Sequence, residues 1–240
     1  MSKLAALIFD LDGTLADTES LHRAAFNYAF REEGMDWHWD EALYTRLLDI
    51  SGGKERMLHY WRETHPDVTE VDGGAVDGLI AKLHEIKTAY YEAKVKAGEI
   101  SLRPGVLALM NEARANGVEL AIATTTSAIN VAALMGSALG DAWRDNFVAV
   151  RDASNAPLKK PHPQVYERVL QDIGLPAQVC IAFEDSSNGL KAATAAGLAT
   201  VITPTSFTSH NDFTGALKVL KDLSGVGIEQ LRQWRSQADR

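Results

Sequence analysis

The chain has 240 residues, a formal net charge of −8 and 46% hydrophobic residues. That suffices for one large domain or a domain carrying an insert, and the acidic balance argues against a nucleic-acid partner or an anionic membrane surface. A lone cysteine, Cys180, excludes an intrachain disulfide and favours a reducing cytoplasm, no apolar run is long enough to span a bilayer, and no signal peptide is expected. The first element is a short apolar run, Leu4 to Phe9, which reads as a strand buried on both faces and ends in Asp10-Leu11-Asp12-Gly13-Thr14-Leu15. If strand geometry persists, residues two apart share a side, so Asp10 and Asp12 aim at a common point. Gly13 lets the chain turn away. Asp17 or Thr18 then caps a helix to about Glu33, with Gly34 as its stop. From there to about Gly98 the pattern is helical without a clear strand. It comprises a helix from Glu41, one over about Lys54–Thr64, and a longer one over about Ala75–Ala97. Trp37 and Trp39 read as packing residues.

Beyond Ile100 the period alternates. A helix opens at Pro104 and Gly105 and ends at Gly117. Glu119–Ala123 is a strand closed by Thr124-Thr125-Thr126-Ser127, which opens a helix to about Leu139. Strand Phe147–Val150, a loop ending in Lys159-Lys160-Pro161, and a helix from about Pro163 to Ile173 follow. Strand Val179–Phe183 ends at Glu184-Asp185-Ser186, an alanine-rich helix reaches Gly197, and Ala199–Thr203 is the last clear strand. A helix follows Gly227, with Asp239 and Arg240 frayed. Strands alternating with helices predict right-handed βαβ units and a parallel α/β sheet covered on both faces. The expected division is a core of residues 1–16 and 99–240 and a helical insert of residues 17–98 after the first strand.

Such a sheet binds ligands at the carboxyl ends of its strands. Asp10, Asp12, Thr124, Lys160, Glu184 and Asp185 all fall there. Four acids, one lysine and one hydroxyl in a small volume are tolerable only around a cation. An all-oxygen donor set suggests a hard ion, Mg²⁺. Asp10 is expected to be ionised near neutral pH and able to attack an electrophile. Phosphorus accounts for the other groups. Mg²⁺ and Lys160 would neutralise phosphoryl oxygens, Thr124 would donate to one, and Asp12 would exchange protons with the leaving alcohol and then with water.

The Asp10-Leu11-Asp12-Gly13-Thr14-Leu15 stretch resembles the signature of haloacid-dehalogenase-like (HAD) phosphatases. Thr124, Lys160 and the Glu184-Asp185 pair match the family's remaining motifs in order. The resemblance implies a Rossmann-like core with a helical cap, Asp10 as nucleophile and Asp12 as acid/base. It implies magnesium ligation by Asp10, the Asp12 carbonyl and Asp185, with Glu184 binding directly or through water. Thr18-Glu19-Ser20-Leu21-His22-Arg23, Gly52-Gly53-Lys54-Glu55-Arg56, Ile122-Ala123-Thr124-Thr125-Thr126-Ser127 and Lys159-Lys160-Pro161 are similar to the CbbY branch, close to β-phosphoglucomutase. That branch implies removal of a phosphate from xylulose-1,5-bisphosphate, with substrate contacts from Asp17, His22, Gly52, Gly53, Lys54, Arg56, Lys87, Thr125 and Thr126. Lys54, Arg56 and Lys87 would form a second anion site, and Asp17 stands where the branch often carries Glu. The expected partner is a small phosphorylated sugar bound by a monomer in the cytoplasm, or in the plastid stroma if from a plant. The alternatives are a β-phosphoglucomutase-type phosphotransferase, a phosphatase for another sugar phosphate, and a non-catalytic sugar-phosphate sensor.

Overall fold

A computed structural model describes residues 4–71 and 73–238. The expected fraying of Asp239 and Arg240 lies outside them. Strand β1 (Ala6–Phe9) occupies an inner position of a six-stranded parallel sheet. Its companions are β4 (Glu119–Ala123), β5 (Ala149–Arg151), β6 (Cys180–Glu184), β7 (Ala199–Ile202) and β8 (Lys218–Val219), in the order β5-β4-β1-β6-β7-β8. The chain winds outward from β1 through β4 to β5, then returns to β6 on the other side of β1. Order therefore reverses beside β1, where α/β sheets carry their ligand crevice. Phe9 pairs with Ile122 of β4 and Phe183 of β6, so Asp10 and Glu184 emerge side by side.

Alternation along the strands gives the sheet two unlike faces. Leu7, Phe9, Leu120, Ile122, Ile181, Phe183 and Val201 point one way. They pack on helices α5 (Val106–Ala115), α6 (Ala128–Leu139) and α9 (Ile228–Ala238). The Phe9 and Phe183 rings stack at 4.7 Å. The other face is made mostly of small residues, Ala6, Ala121, Ala123, Cys180 and Ala182, with Ile8 the larger exception. It lets α7 (Gln164–Ile173) and α8 (Ser187–Ala195) come close to the strands, with Val165, Tyr166 and Val169 filling the gap.

Between β1 and α5 lie α1 (Glu19–Glu32), α2 (Glu41–Leu47), α3 (Gly53–Thr64) and α4 (Val76–Lys96). They share their own aromatic core of Phe26, Phe30, Trp37, Trp39, Tyr44 and Trp61, which also receives Phe207. Trp37 and Trp39 are packing residues, as read from the sequence. The expected absence of strands here is corrected by a two-residue antiparallel pair, β2 (Glu70–Val71) and β3 (Gly74–Ala75), too short to show an alternating pattern. β8 escaped notice for the same reason. Thr18 precedes α1 but its hydroxyl does not cap the helix; it donates instead to Asp12 Oδ1 at 2.8 Å. No helix among the described residues is long and apolar enough to cross a membrane.

Candidate active site

The strand ends and the helices between β1 and α5 enclose a cavity of about 540 Å³. Asp10, Asp12, His22, Gly52, Gly53, Lys54, Arg56, Lys87, Thr124, Thr125, Thr126, Lys160, Glu184 and Asp185 all line it. Asp17 does not. The chain turns after Asp12, and Ala16 is bridged to both Asp12 and Leu102. Ala16 and Thr18 are buried and Asp17 is exposed. The acid that lines the cavity is Glu19, which accepts a hydrogen bond from the Tyr44 hydroxyl at 2.7 Å. The expected substrate contact from Asp17 is thus corrected.

At the sheet edge Asp10 continues the ladder, its amide donating to Phe183 O at 3.0 Å. Lys160 Nζ lies 2.6 Å from Asp10 Oδ1 and 2.6 Å from Glu184 Oε1, and donates to Ala123 O at 2.9 Å. Ligand oxygens of Asp10, Glu184 and Asp185 lie within 4.8 Å of one another, all three residues being buried. Two glycines permit this approach. Gly13, at φ +78°, brings its backbone so near Asp185 that a Cβ would overlap the carboxylate. Gly189, in the first turn of α8, lies so close to Glu184 that a Cβ would collide with Oε2. That oxygen has no hydrogen-bond partner among the described residues. A cluster of buried acids with an orphaned oxygen fits a hard cation.

The electrostatics agree. Burial pushes the Asp10 carboxyl up to about 8, with Lys160 opposing and Glu184 adding to the rise. Burial, then the charges of Asp10 and Glu184, raise Asp185 well above the carboxylate range. Burial thus makes Asp10 hold a proton more tightly than an ordinary aspartate, and Lys160 opposes that rise. One lysine among three acids leaves an excess of negative charge that a cation would relieve.

Asp12 behaves oppositely. Burial would raise its carboxyl, but His22, Thr18 and Lys87 hold it down at about 2. His22 Nε2 meets Asp12 Oδ1 at 3.0 Å, and Lys87 Nζ meets His22 Nδ1 at 2.8 Å. A lysine ammonium only donates, so Nδ1 accepts and the ring proton lies on Nε2, donating to Asp12. Stacking on Tyr91 at 4.2 Å fixes the ring. Lys87 is itself pushed down to about 8 by burial.

The three cations expected at a second anion site are not equivalent. Arg56 is buried and donates to Leu47 O at 3.0 Å and Ile50 O at 3.2 Å, so its guanidinium braces the loop after α2. Lys87 belongs to the Asp12 chain. Lys54 is exposed at the cavity wall. Lys159, which the sequence reading passed over in favour of its neighbour, also lines the cavity and pairs with Glu55 at 2.6 Å. Asn188 Nδ2 donates to Asp49 O at 3.0 Å, a link from the sheet edge to the segment between α2 and α3. Thr124 is buried, its Oγ1 accepting from the Thr126 amide at 3.2 Å. Sequence reading also missed Arg103, which donates to the carbonyls of Gly13, Thr203 and Pro204 and so ties the loop after β1 to the one after β7. A lone arginine before a Pro-Gly turn gives no signal of such a role.

A parallel sheet with this acid and lysine set defines a class of phosphoryl-handling hydrolase, and the chain belongs to the haloacid dehalogenase-like hydrolase family, whose profile matches residues 4–197. Within it the chain is a CbbY-like phosphatase. It is 53% identical to the plasmid CbbY protein of Cupriavidus necator over 220 residues, 92% of this chain and 86% of that protein. The crystal structure of CbbY from Rhodobacter sphaeroides in complex with phosphate superposes with a TM-score of 0.87 at 40% identity, covering 95% of this chain and 99% of that one. The D10N mutant of that protein in complex with xylulose-(1,5)bisphosphate superposes equally well, TM-score 0.87, at 39% identity and with the same coverage.

Proposed function

We propose that the protein is a Mg²⁺-dependent phosphatase that removes one phosphate from xylulose-1,5-bisphosphate through an aspartyl-phosphate on Asp10. The observation that carries this reading is the meeting of Asp10, Lys160, Glu184 and Asp185 at one end of the cavity. The relative bound to xylulose-(1,5)bisphosphate supports the choice of sugar. Asp10, Glu184, Asp185 and the Asp12 carbonyl would hold the metal, which supplies positive charge to keep Asp10 ionised and to draw electron density from the phosphoryl oxygens. Asp10 attacks phosphorus in line. Lys160 and the Thr124 hydroxyl bear on the transferring oxygens. Residues 17–98 act as the cap over a core of 1–16 and 99–240, and a monomer in the cytoplasm suffices.

Asp12 serves as acid and then base. While it accepts from Thr18 and His22 it is a carboxylate and has no proton to give. Turning away from both partners leaves burial as the dominant influence, so Asp12 takes up a proton from solvent and passes it to the leaving alcohol as the phosphorus–oxygen bond to the sugar breaks. Having given up that proton, Asp12 is again a carboxylate and takes a proton from the water that attacks the aspartyl-phosphate, which breaks the ester bond to Asp10 and releases phosphate. The second phosphate of the sugar would lie toward Lys54, Lys159 and the N-terminus of α3 at Gly53, in place of the Lys54, Arg56 and Lys87 set expected from sequence. Gly52, Thr125 and Thr126 line the intervening wall.

The test is turnover of a panel of sugar mono- and bisphosphates with Mg²⁺ at equal concentration, scoring both released phosphate and isomerised sugar phosphate. Preference for the pentulose bisphosphate with stoichiometric phosphate release is expected. Equal turnover of hexose monophosphates would overturn the substrate, and isomerised product without phosphate would overturn the hydrolytic outcome in favour of a phosphotransferase.

A further inference from the structure

Tyr166 was read from the sequence only as part of a helix. It is fully buried on α7, under the sheet edge. Its hydroxyl donates to Glu184 Oε1 at 2.5 Å. The Lys160 ammonium reaches that same oxygen at 2.6 Å and lies 5.2 Å from the centroid of the Tyr166 ring. Burial, with the Glu184 charge beside it, raises the phenol well above its ordinary range, so it stays a donor. Glu184 is thus gripped on three sides. Tyr166 and Lys160 hold one oxygen, and Gly189 confines the other. A glutamate has three rotatable side-chain bonds, and nothing else among the described residues hydrogen-bonds to its carboxylate.

We propose that Tyr166 is a positioning residue for the acidic cluster, its hydroxyl fixing the Glu184 carboxylate toward the cation position and its ring face steadying Lys160 against Asp10. The two roles belong to different parts of one side chain. Partners behind a metal-ligating carboxylate typically change metal affinity 10- to 100-fold when removed. A cation over an aromatic face loses that contact only when the ring goes. The inference rests on the metal reading above.

The test measures Mg²⁺ binding by calorimetry with no sugar present, for wild type, Tyr166→Phe and Tyr166→Leu, followed by kcat at saturating Mg²⁺. Tyr166→Phe deletes one oxygen from a ring that stays in place. It is expected to weaken Mg²⁺ binding about tenfold and leave kcat at saturating Mg²⁺ within about twofold. Tyr166→Leu is expected to weaken binding similarly and also lower kcat at saturating Mg²⁺. Unchanged Mg²⁺ affinity in Tyr166→Phe overturns the inference. So does an equal loss of kcat in both variants at saturation, which marks a packing role. A wild type that binds no Mg²⁺ but hydrolyses sugar phosphates defeats the metal reading itself, a result distinguishable from either.

Discussion

Replacing Lys160 with Met tests the electrostatic account of the site most directly. The ammonium is buried and lies 2.6 Å from each of two buried carboxylates. Side-chain exposure is 5% for Lys160, 10% for Asp10 and 1% for Glu184, so solvent screens these pairs little. Removing one partner of a buried pair costs about 3–5 kcal/mol, because the remaining charge is left without compensation. Here the loss should depend on pH. Asp10 and Asp185 have folded-state affinities for protons raised above their unfolded values. Each therefore favours the folded state at low pH and ceases to do so as pH rises through its folded value. Without Lys160 those values rise further. The urea-unfolding free energy of Lys160→Met should therefore fall short of wild type by about 3–5 kcal/mol near pH 8 and by clearly less near pH 5. Mg²⁺ at about 100 times its dissociation constant should return about 2.7 kcal/mol at pH 8. Turnover should drop roughly 10²- to 10³-fold, as when a preorganised donor to developing charge is lost. A deficit identical at pH 5 and 8, and indifferent to Mg²⁺, would refute the reasoning.

Further expectations follow from the same geometry. Mg²⁺ affinity should rise from pH 6 to 8 with proton release on binding, since Asp10 must lose a proton held up to about 8; calorimetry in buffers of different ionisation enthalpy reads the proton count, and a flat profile opposes it. His22→Ala frees Asp12 from the donor that helps hold it near 2, so the alkaline limb of the kcat/KM profile, set by loss of the proton that Asp12 gives to the leaving alcohol, should move to higher pH; an unmoved limb opposes the pairing. Gly189→Ala forces a methyl into Glu184 Oε2 and should cost about 1–3 kcal/mol by urea unfolding, along with a weaker Mg²⁺ isotherm. Trp39→Ala empties a fully buried position between Phe26 and Phe30 and should cost about 3–5 kcal/mol; a loss under about 1 kcal/mol in the melt would mean that the aromatic cluster is not a packed core.

Much of this site could be read before any coordinates because the chemistry sits where secondary structure changes. Asp10, Thr124 and Glu184 each end an apolar run, and a parallel sheet collects run ends at one edge. What could not be read depends on side-chain direction. Asp17 and Glu19 are both acids at a helix start, and which of them reaches the cavity depends on the path of the chain between β1 and α1. Arg56 carries the charge an anion site needs, yet the carbonyls that occupy it belong to a loop whose path no local pattern encodes. Tyr166 looks like any aromatic on a helix stripe. Burial, which raises the proton affinity of Asp10, is a tertiary quantity that its sequence neighbours do not show. The strands β2, β3 and β8 span two residues each, below the length at which alternation can be seen.

Among the described residues the polar links across the mouth of the cavity are slender, although Phe207 also packs into the aromatic core beside them. The Glu55–Lys159 pair has a glutamate that is 49% exposed, and ion pairs of that sort contribute about 0–1 kcal/mol. Asn188 adds one bond to a carbonyl. Fastenings so weak should part on thermal motion, within microseconds to milliseconds, which would let product leave without any helix having to unravel. The same weakness makes the doorway sensitive to brine: strong salt should loosen its ionic thread first, long before it disturbs the aromatic packing behind.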